Sequence, residues 1–406
     1  MKADCIILGG GASGLAAAAY LASSGLHVAL IEKGDRVGRK IMAAGNGRCN
    51  LSNTDMNPAY YGNAASFVQA VYETTPQAEV SGFFSSLGLM TATEEGRIYP
   101  RTMMASSVLD VLRGGLAGIE VITGQEAVSL TPSRRGGWSV QLSGGEGLFA
   151  PAVLAAMGGS AAPHLGTDGA GTRMLSALGH SVTPLCPALV QLKCDHPALK
   201  SLKGVRLQST LTLDVNGEVA AKETGELLFA DYGVSGVCVF QLSRFASRAL
   251  YEKRRVMLYA NLLPEIEDAA AWLDARIGLL PGADMQTLFT GVFPRILTQA
   301  ILRQADIRPE AAAARLTPKA KAALTDAMTA FPLPVTGTQG FKNAQVTAGG
   351  ISLDEVDPKT MQSRLMSGLY LAGELLDVDG PCGGYNLHFA FASAITAAKA
   401  IKAQLL

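Results

Sequence analysis

Three glycines spaced Gly9-x-Gly11-x-x-Gly14 constrain this chain more than any other feature of it. The run before them, residues 3–8, is apolar and strand-like. The run after them, Gly14 to Ser24, is alanine-rich and helical, with Gly25 as a plausible C-cap. His27 to Ile31 then reads as a second buried strand, ending in Glu32. Strand, crossover helix and parallel strand within about 30 residues make a βαβ unit. In such a unit the first glycine permits the tight turn, the second lets a pyrophosphate approach the backbone, and the third lets helix pack on sheet. The helix N-terminus supplies free N–H groups and a positive dipole end for phosphates. Glu32 can accept hydrogen bonds from ribose hydroxyls and would repel a 2′-phosphate. The pattern predicts a dinucleotide site built on Gly9, Gly11, Gly14 and Glu32.

At 406 residues, two or three domains are expected. A hydrophobic fraction of 48% with 17% charged residues describes a well-buried globular protein. Lysine plus arginine equals aspartate plus glutamate at 34 each, which argues against a nucleic-acid partner. The six cysteines are scattered without a CxxC pair, so a disulfide framework, a zinc site and a dithiol relay are not expected. Reduced thiols fit a cytoplasmic protein. Leu15 to Ile31 is the stretch most like a membrane span, but Ser23-Ser24-Gly25 and His27 interrupt it. It reads as helix, turn and strand, with no membrane insertion.

Residues 62–90 are expected to be helical, burying Phe67, Val71, Val80, Phe83, Phe84 and Leu87. A helix over Ala105–Leu116, a strand near Glu120–Thr123, a β meander around Trp138–Leu142 and a buried strand Val153–Met157 follow. From about Ala188 short alternating segments imply antiparallel strands, and Ala269–Ala330 has helical spacing. Gly368–Ala372 returns to a buried strand, and Phe389–Leu406 is expected to be an amphipathic closing helix.

FAD and NAD share the glycine fingerprint. Two features favour FAD: the basic loop Glu32 to Lys40, and a second ligand-like cluster from Gly373-Glu374 to Gly383-Gly384-Tyr385-Asn386. An extended FAD needs a distant segment to reach its isoalloxazine. Gly166 to Gly171 lacks the strand and spacing of a second nucleotide motif, so a dedicated NADPH domain is not expected.

Gly-Gly-Gly-Ala-Ser-Gly, Glu-Lys-Gly-Asp-Arg-Val-Gly-Arg-Lys, Gly-Asn-Gly-Arg-Cys-Asn-Leu-Ser-Asn and Gly-Glu-Leu-Leu-Asp-Val-Asp-Gly-Pro-Cys-Gly-Gly-Tyr-Asn together resemble the aminoacetone oxidase/BaiN-type FAD flavoproteins. The likeness runs from the first strand to the closing helix. It implies an α/β fold: a glutathione-reductase-like Rossmann FAD domain from both chain ends (1–187 and 345–406). A β-barrel-like substrate domain (188–262 and 331–344) and a small helical insertion (263–330) complete it. The resemblance places Gly9, Gly11, Ala12, Ser13 and Gly14 at the pyrophosphate and Glu32 at the ribose. It sets Lys33, Arg39 and Lys40 beside the adenosine or phosphates, and Asn46, Gly47, Arg48, Cys49 and Asn50 near the flavin. It gives Val128 a backbone role at the adenine and sets Gly158 in the cofactor site. Gly373, Glu374 and Asp379 would address the ribityl–pyrophosphate stretch, with Gly384, Tyr385, Asn386 and Leu387 near the isoalloxazine. One departure from the wider superfamily is Arg39 after Gly38, where two glycines are common.

His27 and His180 read as structural. Arg48, Tyr385 and His388 are the catalytic candidates, with no role fixed; His388 either faces substrate or simply starts the last helix. A buried Arg48 would need an anion, either a ligand or a carboxylate such as Asp377. Cys49 and Cys382 read as small apolar filler rather than covalent flavin attachments, so FAD is expected to be non-covalent. No metal is expected. The functional expectation is an FAD oxidoreductase, a nicotinamide-linked reductase or dehydrogenase, in which NADH or NADPH docks transiently and a carbon–carbon double bond of an apolar small molecule, such as a steroid-like enone, is reduced or, in the reverse sense, formed. Flavin oxidation of a small amine and a non-catalytic redox or RNA-associated module remain as alternatives. Oligomeric state stays open.

Overall fold

The computed structural model describes residues 2–134 and 136–406. They form two compact units, one from the chain up to Leu185 together with Gln345–Leu406, the other Cys186–Ala344.

The first unit is organised by a five-stranded parallel sheet. Its strands are β1 (Cys5–Leu8), β2 (Val28–Glu32), β3 (Glu120–Thr123), β4 (Ala152–Ala155) and β5 (Leu369–Leu371), in the order β5-β4-β1-β2-β3. All four residues of β1 and of β4 are buried, as continuous apolar runs must be in a sheet covered on both faces. Cys5 pairs with Val28 on one side and Ala152 on the other, and Val153 pairs with Leu369. The last strand added to the sheet thus comes from the far end of the chain. Helix α1 (Ala12–Leu21) packs against α2 (Tyr385–Leu405), with Ala16, Ala17, Ala394 and Ala398 buried. Their small side chains let the helices approach closely.

Two element boundaries differ from expectation. The 62–90 stretch is broken into helices Ala65–Thr74 and Gln77–Ser86. Pro76 caps the second, because proline restricts the residue before it to extended backbone. Phe67, Val71, Val80 and Phe84 are buried, whereas Phe83 and Leu87 are only partly covered. The closing helix begins at Tyr385, four residues before Phe389, and its middle is buried on nearly every face instead of amphipathic. It runs against α1, the helix Gln77–Ser86 and the sheet at once.

A three-stranded meander (Ala127–Pro132, Trp138–Leu142, Gly147–Ala150) and a small antiparallel sheet (Ser52–Asn53, Arg97–Pro100, Thr91–Glu94) complete this unit.

The second unit contains a closed six-stranded barrel. Its long hairpin, Arg206–Val215 with Glu218–Ala230, alternates as a half-buried strand must: Leu211, Leu213 and Val215 are inside. The helices between Ala269 and Thr329 share one apolar core with the barrel, through residues such as Leu273, Leu297 and Met328. Among the described residues no helix is long and apolar enough to cross a membrane, and no group of three His, Cys, Asp or Glu side chains could hold a metal.

Candidate functional site

The turn after β1 is shaped by what glycine alone allows. Gly9 has φ +104°, and a Cβ there would stand 2.5 Å from the Ala156 carbonyl oxygen. A Cβ on Gly14 would overlap the Gly9 carbonyl oxygen, whereas one on Gly11 would meet nothing within 4 Å. Two glycines therefore close the strand–helix packing and the third leaves open space beside the backbone. No side chain caps α1, and its first turn carries no acid. Its free N–H groups and dipole suit a pyrophosphate there.

Glu32 is held rigidly at the end of β2. Its Oε2 accepts from the Gly10 N–H at 2.8 Å and its Oε1 from the Gly34 N–H at 2.7 Å. Each oxygen keeps a further lone pair for a ribose hydroxyl. Glu32 belongs to a cleft whose walls include Lys33, Gln125, Glu126, Ala127 and Asp168. Val128 lies just past the wall: its side chain is 54% exposed, beside the register shift between Ala127 and Ser129.

The basic loop is less free than its sequence suggests. Lys33 Nζ stands 3.0 Å from Asp168 and 4.0 Å from Glu126. Arg39 donates to the His164 carbonyl at 3.0 Å. Lys40 pairs with Glu374 at 2.6 Å, so two expected cofactor residues from opposite chain ends neutralise each other. Glu374 also accepts from the Thr347 N–H. Gly373 fits directly against Ser13, with no room for a Cβ between them. Gly158 follows β4 and packs against Thr167. Asp379 is half-buried in the loop before α2.

The third cluster surrounds the N-terminus of α2, which no side chain caps and whose first turn has no acid. Gly384 (φ +97°) leaves no room for a Cβ against the Ser52 carbonyl and Asn50 Oδ1. Asn50 Oδ1 is buried with no hydrogen-bond partner. An orphaned buried acceptor beside an uncapped helix end is what an isoalloxazine ring, with its N–H and carbonyl edge, would complete. Here too the residues fit the cofactor.

Asn386 spends its side chain on the preceding loop, accepting from Gly380 N–H at 2.8 Å and donating to Gly380 carbonyl oxygen at 2.9 Å. It shapes that loop. Tyr385 stacks edge-on to Tyr60 and Tyr61, while Leu387 is half-buried. Burial pushes the Tyr385 hydroxyl above its ordinary value, helped by Tyr60 and Asp55 and opposed by Arg97. His388 is fully buried, with Nδ1 2.9 Å from Ser52 Oγ and Nε2 unpartnered. Burial lowers its pKa to about 4, so the imidazole is neutral near pH 7.

Arg48 is not buried: its side chain is 41% exposed, and the carboxylate it pairs with is that of Glu94, while its guanidinium lies 4.4 Å from the Tyr99 ring centroid. The small sheet carries Glu94 and Tyr99 to it. Asn46 and Gly47 are exposed. Cys49 is buried and desolvation raises its thiol to about 12, so it is not a thiolate. His27 and His180 hold structure: His27 reaches Glu120 and the Lys2 carbonyl, and His180 bridges Glu355 and Ser363.

Ser52, inside Gly-Asn-Gly-Arg-Cys-Asn-Leu-Ser-Asn, and Gln125–Ala127 carry no residue-type signal that marks them in the sequence. Asp168 stands in Gly166–Gly171, which lacks the strand and spacing of a nucleotide motif.

A parallel-sheet unit with a glycine turn, a ribose-poised acid and a second site-forming segment from the far end of the chain defines a Rossmann-type FAD-dependent oxidoreductase. Residues 3–400 match the model of the HI0933-like protein Rossmann domain, and the chain belongs to that family. It is 39% identical over 402 residues to a 3-dehydro-bile acid delta(4,6)-reductase of Clostridium scindens, covering 97% of this chain and 98% of that protein. It is 28% identical over 398 residues to a ribosomal RNA dihydrouridine synthase of Escherichia coli, covering 96% of each. A 3-ketosteroid delta1-dehydrogenase from Sterolibacterium denitrificans, in complex with 1,4-androstadiene-3,17-dione, superposes with TM-score 0.54 at 15% identity. That match covers 99% of this chain and 100% of that one, a likeness of fold alone.

Proposed function

We propose that this enzyme reduces a carbon–carbon double bond conjugated to a ketone in a steroid-like small molecule, with NADH or NADPH as the electron source. The observation that carries the reading is the 39% identity, end to end, with a bile acid delta(4,6)-reductase. FAD, when bound, supplies hydride chemistry at its N5. The chain's own part begins with holding it: α1 at the pyrophosphate, Glu32 at the ribose, and the free N–H groups of α2 at the isoalloxazine edge. Reduction of an enone delivers a hydride to the β carbon and a proton to the α carbon. Tyr385 is our assignment for that proton. Its hydroxyl stays protonated near pH 7, and it stands in the first turn of α2. The protonated Cys49 thiol supports non-covalent FAD. Substrate selection we assign to the β-rich stretch 188–262 with 331–344, beside the helical stretch 263–330. The undisulfided cysteines fit a reducing cytoplasm.

The test is anaerobic stopped-flow. NADH or NADPH should bleach the flavin, and a 3-keto-4-ene steroid should restore its colour. Bleaching by small amines in place of nicotinamides would overturn the reading in favour of an amine oxidase. Restoration by uridine-containing ribosomal RNA and not by steroid would move it to the chemistry of the Escherichia coli relative.

A further inference from the structure

The segment Gly166–Gly171 has no part in the glycine turn, yet it helps line the cleft that holds Glu32. Gly166, Asp168 and Ala170 supply that wall. The opposite wall holds Glu32 and Lys33, and Gln125 to Ala127 form a third side. Lys33 Nζ reaches Asp168 Oδ2 on the facing wall at 3.0 Å, with Glu126 of the third side 4.0 Å away. Both ends of this tie are anchored. Asp168 Oδ1 accepts from the Ala170 N–H at 3.0 Å, and the Asp168 carbonyl accepts from Arg173 Nη1 at 2.7 Å. Gly169 N–H donates to the Gly159 carbonyl at 3.0 Å, which fastens the loop to the end of β4. Lys33 directly follows Glu32, whose carboxylate two backbone N–H groups lock. Partial burial works against the Asp168 charge, but the Lys33 and Ala170 hydrogen bonds, with Lys33 and Arg173 nearby, keep its pKa below the ordinary value.

We propose that the Lys33–Asp168 pair is a strap across the adenosine end of the FAD site, and that it sets how slowly the bound cofactor leaves. The inference rests on the FAD assignment but not on the substrate reading. An adenosine in this cleft has Glu32 at its ribose and the 166–170 wall facing it, so it exits by parting the two walls. Both partners are partly solvent-exposed, so the tie is screened by salt.

The experiment measures FAD release from the purified holoenzyme by recovery of flavin fluorescence on dilution, at low and high salt. It needs neither a nicotinamide nor an enone, so failure of the proposed reaction does not touch it. Asp168→Asn retains an oxygen for the Ala170 cap and loses the charge. It should release FAD about one-and-a-half- to fivefold faster at low salt, the range expected of a partly exposed ion pair. Wild-type release should quicken with salt, and that of the variant should change much less. Lys33→Met should match Asp168→Asn, and the double variant should be no faster than either single one. Should Asp168→Asn fail to load FAD, Lys33→Met, which leaves the Ala170 bond untouched, is read on the same scale. Wild-type release rates in Lys33→Met, or effects of the two substitutions that multiply in the double variant, would overturn the proposal.

Discussion

Acidification should expose the cost of burying His388. Its folded pKa of about 4 lies below the ordinary 6.5 because the ring is desolvated. The folded state therefore resists a proton that the unfolded chain accepts. Above about pH 6.5 both states are neutral and the group imposes no penalty. As pH falls through the window from 6.5 to 4 the unfolded state is progressively favoured. Linkage puts the loss at about 2 kcal/mol by pH 5 and about 3 kcal/mol by pH 4. Other groups also weaken the protein in acid, so the quantity to isolate is a difference. His388→Asn can keep the bond to Ser52 Oγ, now made by Nδ1, and cannot titrate in this range. The variant should be less stable than wild type at pH 7.5, having lost the edge-on contact with Tyr72. Urea unfolding from pH 7.5 to 4.5, followed by tryptophan fluorescence and by far-UV circular dichroism, should show the gap shrinking by about 2 kcal/mol as pH drops. A gap that is constant with pH would mean that His388 titrates alike in both states, and the assignment of a neutral buried imidazole would be wrong.

Tyr385→Phe should lower the rate of enone-dependent flavin reoxidation by about 10²- to 10⁴-fold, the usual span for a lost general acid, with flavin content and bleaching by nicotinamide unchanged; stopped-flow resolves the two half-reactions. Gly14→Ala forces a methyl into the Gly9 carbonyl, so the purified protein should lack flavin absorbance and lose about 1–3 kcal/mol of stability in urea. Cys49, with its thiol near 12 and its side chain buried, should stay unmodified by iodoacetamide at pH 8 in the native protein and react once unfolded, as read by peptide mass spectrometry.

The first βαβ unit is legible because every local cue agrees there: an apolar run, three glycines that the packing requires, and an acid at the end of the second strand. The barrel hairpin is legible for the same reason, since Leu211, Leu213 and Val215 alternate cleanly. The start of α2 was harder to read. Gly383-Gly384-Tyr385-Asn386 has the composition of a loop, and only tertiary packing against Asn50 and Ser52 turns Gly384 into a helix cap. Which carboxylate meets Arg48 is not legible, because its partners are not neighbours in sequence. Glu94 and Tyr99 reach it through the pairing of Thr91–Glu94 with Arg97–Pro100. Nothing local in the sequence reveals that Lys33 meets Asp168 or that Lys40 meets Glu374. In each case, long-range pairing supplied the decisive contact.

The pairing of β4 with β5 has a consequence for how the protein is made. Val153 to Ala155 wait for Leu369 to Leu371, which the ribosome delivers long after the glycine turn has emerged. At about 5–20 residues per second that interval is on the order of tens of seconds. Throughout it the nascent sheet has an open apolar edge, and α1 lacks the helix that covers it. The cofactor pocket therefore cannot close until Leu369–Leu371 and α2 have emerged. Until the final strand docks, that edge is a template for pairing with another chain.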